Sequence, residues 1–97
     1  METIMANQDE FKFHINQAVV TRAASELLNG SQVYAAMRLH QMGDWGDICE
    51  EDRKSNDEAL LHDGRLMSVF KTGDGVVFWI ITEWDRSVTT VLLPEDY

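Results

Sequence analysis

The chain has 97 residues, of which 44% are apolar and 26% are charged, and its formal net charge is −9. This composition is typical of a folded domain with one hydrophobic core rather than of a disordered chain. No segment approaches the ~18 consecutive apolar residues that span a bilayer, and the negative charge disfavours binding to anionic lipid or to nucleic acid phosphates. The lone cysteine, Cys49, and the lack of a leader-like start indicate the cytoplasm.

Residues 1–10 are polar and lack an apolar period, so we predict a flexible tail followed by one domain over residues 11–97. From Phe11 the pattern is ambiguous. Phe11, Phe13 and Ile15 alternate as in a strand. From Ile15 onwards, however, apolar residues recur every four positions, at 19, 23 and 27, which is typical of a helix. The β-branched residues at 19 and 20 favour a strand up to position 20, although a helix over 11–20 stays open.

Three helices are predicted next. Thr21 is suited to cap the first, which runs through Leu28 and ends at Gly30. Ser31 is suited to cap the second, which extends to about Gln41 and has an apolar stripe along one side.

The third helix is predicted from a capping-box spacing between Asp47 and Glu50, with its end near Gly64. It is strongly acidic, because positions 44–63 hold eight acidic and two basic residues. Asp52 and Asn56 interrupt its apolar stripe, and we expect a hydrogen bond from one of them to brace the loop around Trp45.

The rest of the chain predicts an antiparallel meander. Its strands are Leu66–Lys71, then Val76–Thr82 after a glycine-rich turn, then Val88–Leu93, which Pro94 ends. The apolar run of the second strand places it at the centre of the sheet, with Phe78 or Trp79 almost wholly buried. The predicted fold is α+β, with N-terminal helices on one face of a three-stranded C-terminal sheet and a possible fourth strand from the N-terminal segment.

Few residues have the spacing of a known metal-binding or catalytic motif. The three histidines and Cys49 lack paired metal-ligand spacing, and we predict no metal, no cofactor and no catalytic residue. His40 is expected to be a hydrogen-bonded core histidine near Trp45, and Cys49 a small buried residue.

The turn after the central strand has the richest mixture of polar groups. Loops at strand ends often present binding groups, and the start of the first strand lies at the same end of a meander as this turn. The two arginines there could together bind one carboxylate or phosphate group. The alternative is that both form ordinary ion pairs, and in either case we expect loss of Arg86 to change stability little. The predicted binding residues are Arg65, Glu83, Asp85, Arg86, Thr89 and Thr90.

Several strings resemble a family of small uncharacterised bacterial proteins that are carried on plasmids, integrating elements and other mobile DNA. The resemblance covers roughly residues 11–97, and it is carried by Gly43–Gly46, Asn56-Asp57, Gly64–Leu66, Trp79–Glu83 and the string Asp85–Tyr97. At Arg22 and Ala23 the chain departs from the Pro and Gly of many members. The resemblance implies an accessory protein of a mobile element or a gene cassette, with no assigned activity.

Three functions are compatible with these patterns. The first is a non-enzymatic interaction protein that binds a protein partner or itself as a homodimer, because the outer strands of a small sheet are open to pairing. The second is a small ribonuclease-like toxin, for which Arg65, Arg86, Thr90 and Tyr97 are the candidates. The third is an acidic DNA-mimicking inhibitor, indicated by the acidic third helix.

Overall fold

A computed structural model describes residues 11–97, and the predicted tail over residues 1–10 lies outside them. The fold is α+β, as predicted, with three helices, four strands and a final 3-10 turn over Pro94–Asp96. The strands are β1 (Gln17–Val20), β2 (Leu66–Lys71), β3 (Val77–Thr82) and β4 (Val88–Leu92). The helices are α1 (Arg22–Leu27), α2 (Gly30–Gln41) and α3 (Glu50–His62).

The four strands form one mixed sheet in the order β1-β4-β3-β2. β2, β3 and β4 make the antiparallel meander that the sequence predicts, with Leu66 opposite Thr82 and Thr82 opposite Thr89. β1 is the fourth strand, and it pairs parallel to β4 with Val20 opposite Val91. The predicted central strand is therefore interior, but β4 is interior as well.

The strand boundaries differ by one residue from those predicted, at Val76 and at Leu93. The backbone carbonyl of Val76 accepts from Thr72 and its N–H donates to the Thr72 hydroxyl, so Val76 closes the hairpin turn. Leu93 donates its N–H to Asp96 and begins the 3-10 turn.

One face of the sheet carries the main core. Phe78, Ile80 and Val91 from the strands are at most 3% exposed and pack against Ala24 and Ala36 of α1 and α2. The expectation that Phe78 or Trp79 is almost wholly buried is confirmed at Phe78. A second cluster, with Trp45 at its centre, joins α3 to the start of β2 through Ala59 and Leu66.

The helix caps are only partly as predicted. The Thr21 hydroxyl accepts from the Ala24 N–H and caps α1, as expected. α2, however, begins at Gly30, and its cap is Asn29 rather than Ser31, because Asn29 and Gln32 form a reciprocal capping box. Gly30 therefore starts a helix instead of ending one.

The start of α3 also corrects the sequence prediction. Asp47 does not cap this helix, because α3 begins only at Glu50, and the Asp47 N–H donates to the Val69 carbonyl at 2.7 Å, which holds its backbone beside β2. The cap position is Cys49, which is exposed rather than buried and makes no side-chain cap bond.

α3 ends at His62, close to the predicted end near Gly64. Its C-cap residue is Asp63, which adopts the left-handed conformation with φ 59°. Gly64 is required because a Cβ at this position would lie 2.8 Å from the Ala59 Cβ.

Within residues 11–97, no helix is both long and apolar enough to cross a membrane.

Candidate functional site

The predicted binding turn lies at one end of the sheet and brings Arg65 and Glu83 together. The Arg65 Nε is 3.6 Å from a Glu83 carboxylate oxygen. Arg65 also donates to the Tyr97 hydroxyl at 2.9 Å, and this hydrogen bond raises the pKa of the guanidinium. Tyr97 in turn packs edge to face on Trp79, with the ring centroids 5.5 Å apart. Arg65 and Tyr97, two of the residues considered for ribonuclease-like chemistry, are thus neighbours.

Arg86 points into the molecule rather than towards Arg65. Its Nη1 donates to the carbonyls of Gly64, Glu83 and Trp84, at 2.6 Å, 3.2 Å and 3.1 Å. Its Nη2 donates to the Ala59 carbonyl at 2.8 Å, in the last turn of α3. The guanidinium therefore acts as a cap for this helix end and is not aimed at an external anion. We expected loss of Arg86 to change stability little whether it bound an anion or formed an ion pair, and both alternatives assumed a guanidinium at the surface. The guanidinium instead donates to four backbone carbonyls.

The other predicted residues divide between the turn and the sheet. Asp85 accepts from the hydroxyl and the N–H of Ser87, and these bonds lower the pKa of its carboxyl. Thr89 is buried on the helix-bearing face, whereas Thr90 is half-buried on the opposite face of β4. Binding at this turn remains a prediction, and the predicted residues whose side chains face outward there are Arg65, Glu83 and Asp85.

A buried chain of hydrogen bonds crosses the helix-bearing face of the sheet. His40 lies at its centre, with Nδ1 2.6 Å from the Ser68 hydroxyl and Nε2 2.9 Å from the Thr82 hydroxyl. The Thr82 hydroxyl is 2.7 Å from that of Thr89. The imidazole also meets Phe13 and Trp45 edge to face. The prediction of a hydrogen-bonded core histidine near Trp45 is confirmed.

His40 is neutral in this setting. Burial, and after it the positive charge of Arg86, lowers the pKa of His40 from 6.5 to about 3. In a neutral imidazole one ring nitrogen donates and the other accepts, and hydroxyl groups can satisfy both. All four side chains are at most 1% exposed, so the chain of hydrogen bonds stabilises the core and has no access to a substrate.

The outer edge of β2 is closed by its own chain. The Asn56 side chain donates to the Met67 carbonyl at 2.8 Å and accepts from its N–H at 3.2 Å, as a neighbouring strand would. Further along, the Val69 N–H donates to the Trp45 carbonyl at 3.0 Å. Gly46 runs beside Val69 so closely that a Cβ would lie 2.1 Å from the Val69 carbonyl oxygen.

The sequence suggested Asn56 as a residue that braces the Trp45 loop, but the structure shows that it does not. That contact is made by Asp57, whose carboxylate accepts from the Trp45 indole N–H at 3.2 Å. Asn56 is 5% exposed and belongs to the edge of β2.

In the part of the chain that the structure describes, the opposite edge of the sheet, along β1, is open. The Thr21 N–H donates to the Val91 carbonyl. Because backbone hydrogen-bonding groups alternate in direction along a strand, the N–H and C=O of Val19 also point towards β4. Ala18 and Val20 then direct their N–H and C=O groups away from the sheet. Within residues 11–97 these groups have no hydrogen-bond partner.

An apolar groove adjoins this open edge. It has a volume of about 440 Å³ and lies between β1, α1 and α2. We call it, together with the outer edge of Ala18 and Val20, the edge groove. Its lining residues are Val20, Ser25, Leu28, Asn29, Gly30, Val33, Tyr34 and Met37.

The edge groove lies in the part of the chain with the fewest acidic residues. Positions 11–41 contain three basic residues and one acidic residue, Glu26, whereas positions 42–97 contain thirteen acidic and five basic residues. Glu26 is itself 3.7 Å from Arg22. The uneven charge was visible in the sequence, but only the fold shows that this segment borders an open strand.

Among residues 11–97, no group of three or more His, Cys, Asp or Glu side chains is arranged to hold a metal ion. No known protein family, no curated protein and no solved structure matches the chain.

Proposed function

We propose that this protein is a non-enzymatic interaction protein whose contact surface is the edge groove. The observation that supports the proposal is the difference between the two sheet edges. The β2 edge is closed by Asn56 and the Trp45 loop, whereas the β1 edge presents backbone groups that have no partner within residues 11–97, beside an apolar groove.

Both parts of this surface suit another polypeptide chain. An extended strand added to β1 satisfies the outward backbone groups of Ala18 and Val20, which gives affinity without regard to sequence. The groove supplies the apolar area, since it is lined by apolar side chains and Tyr34 among them is 65% exposed. We further propose that the protein acts in the cytoplasm, as an accessory of mobile DNA, on the strength of the lone Cys49 and the resemblance of residues 85–97.

Site-specific photocrosslinking tests this proposal. A photoreactive phenylalanine analogue is placed at position 34 in the edge groove, or at Leu61, which is 78% exposed on α3. In cells that produce the protein, we expect a covalent adduct with a polypeptide from position 34 and none from position 61. The substitution Ala18→Pro, which removes an outward N–H, should abolish the adduct.

Equal adducts from both positions would show that the edge groove has no special role. The absence of any adduct from position 34 would overturn the proposal as well. The mass of an adduct identifies its partner, and this distinguishes the general proposal from the narrower one below.

A further inference from the structure

We infer that the partner at the edge groove is a second copy of this chain, so that two sheets join through β1 into one continuous sheet. This inference rests on the proposed function, and it names the occupant of the same surface. It draws on three features of the edge groove: its backbone pattern, the side of the sheet on which it lies, and its charge.

The backbone pattern of β1 is complementary to itself. In an antiparallel pair related by a twofold axis at Val19, Ala18 of one copy lies opposite Val20 of the other. Each such pair exchanges both N–H and C=O groups, which are the groups that point outward in one copy. The two Val19 side chains, each 38% exposed, then meet at the axis as a closely spaced pair.

The side of the sheet also fits this arrangement. A twofold axis that runs through the sheet from face to face leaves α1 and α2 of both copies on the same side. The two grooves then lie next to each other across the axis. The exposed ring of Tyr34, which lines one groove, is thereby brought towards the other copy.

Charge opposes contact between two copies less at this surface than at the acidic surface of α3. A chain of net charge −9 repels its own copies, and the repulsion is weakest where acidic residues are fewest. Positions 11–41 have a net charge of +2, and their one acidic residue, Glu26, is 3.7 Å from Arg22. Two such surfaces can approach without bringing the acidic residues of α3 together.

Sedimentation of the full chain tests the inference with a matched pair of variants. Val19 and Val77 are both valines in strands and both 38% exposed, but Val77 lies in β3, away from the edge groove. We expect a dimer at high micromolar concentration for the wild type. Val19→Asp places two carboxylates together at the axis and should raise the dimer Kd at least about a hundredfold. Val77→Asp should leave the Kd unchanged.

Ala18→Pro provides a second test that does not depend on added charge. Proline is tolerated on an edge strand when its missing N–H faces outward, so the monomer should keep its near-ultraviolet circular dichroism while the Kd rises at least about tenfold. In the wild type, the amide protons of Ala18 and Val20 should exchange more slowly as concentration rises.

Several results would overturn the dimer. These are a wild-type monomer, an equal effect of Val19→Asp and Val77→Asp, and amide protection at Ala18 and Val20 that does not depend on concentration. A monomer that still forms an adduct of another mass from position 34 would leave the proposed function standing, whereas no adduct would remove both. An association that weakens steeply with salt would indicate head-to-tail contact between basic and acidic surfaces and would also contradict the twofold pairing.

Discussion

His40 has no exposed surface, and both of its ring nitrogens are occupied by hydroxyl groups. A pKa of about 3 in the folded protein, against 6.5 as the ordinary value, makes its contribution to stability depend on pH. Above pH 6.5 the ring is neutral in both the folded and the unfolded state, so the full stabilisation from His40 is present. As the pH falls from 6.5 towards 3, only the unfolded chain takes up the proton, so the folded state loses stability.

We therefore expect a slope of up to about 1.4 kcal/mol per pH unit from this residue. The variant His40→Gln keeps a hydrogen-bonding side chain that does not titrate in this range. Its free energy of unfolding should be lower than that of the wild type at pH 7.5, but the difference should shrink between pH 6.5 and pH 5. Urea unfolding across this range measures the slopes. Parallel curves for the two proteins would place the pKa of folded His40 near 6.5.

Arg86 is the second residue whose role follows from its contacts. Arg86→Gln removes a charged donor from four carbonyls, among them that of Ala59 in the last turn of α3. We expect a loss of about 2 to 3 kcal/mol and a fall in Tm of about 10 to 20 °C. Arg65→Gln is the matched control, because Arg65 is 48% exposed and its ion pair with Glu83 should contribute at most about 1 kcal/mol. Equal losses in thermal unfolding would contradict the capping role.

At the scale of elements, α3 protects the edge of β2 through one amide side chain. Asn56→Asp keeps the shape of the residue but replaces the donor to the Met67 carbonyl by a second acceptor. We expect it to destabilise the fold by at least as much as Asn56→Ala, about 1 to 3 kcal/mol. Both should speed hydrogen exchange at the Met67 amide. Urea unfolding compares the two, and a harmless Asn56→Asp would mean that the edge does not depend on this amide.

Most elements could be predicted from local sequence because their signals are local. β2, β3 and β4 follow from β-branched and aromatic runs between turns, and α1 follows from the cap at Thr21. The start of α3 could not be predicted in this way. The Asp47 and Glu50 spacing fits a capping box, but the Asp47 N–H is taken by Val69, more than twenty positions along the chain. A tertiary hydrogen bond outweighed the local motif.

The candidate site was predicted less well, for a similar reason. The sequence identified polar groups at the end of a strand, and the fold does bring Arg65 and Glu83 together there. It did not indicate that Arg86, with φ 63°, turns inwards to the end of α3. The edge groove depends on β1 pairing with β4 rather than with β2, and no local pattern specifies that choice.

For the whole molecule, the dominant feature is the separation of charge. Positions 42–97 carry a net charge of −8, and within the described chain their repulsion is relieved by only a few ion pairs, such as Arg53 with Glu50 at 3.5 Å. Salt shortens the screening length from ~10 Å at 0.1 M to ~3 Å at 1 M. We expect added sodium chloride to raise the Tm in thermal unfolding, because repulsion between like charges destabilises the compact state. A fall in Tm would mean that attractive pairs dominate the surface.

The parallel pairing of β1 with β4 has a kinetic consequence. The Asn16 side chain donates to the Arg86 carbonyl across 70 positions, and the Thr21 hydroxyl donates to Asp96 across 75. Closing a loop of that length opposes the pairing by about 4 kcal/mol, whereas the hairpins of β2, β3 and β4 close short loops. The meander should therefore assemble first and β1 last. During synthesis, Gln17–Val20 is made well before Val88–Leu92 and has no strand to join until Val88–Leu92 has emerged, so β1 must wait for β4 before it can complete the sheet.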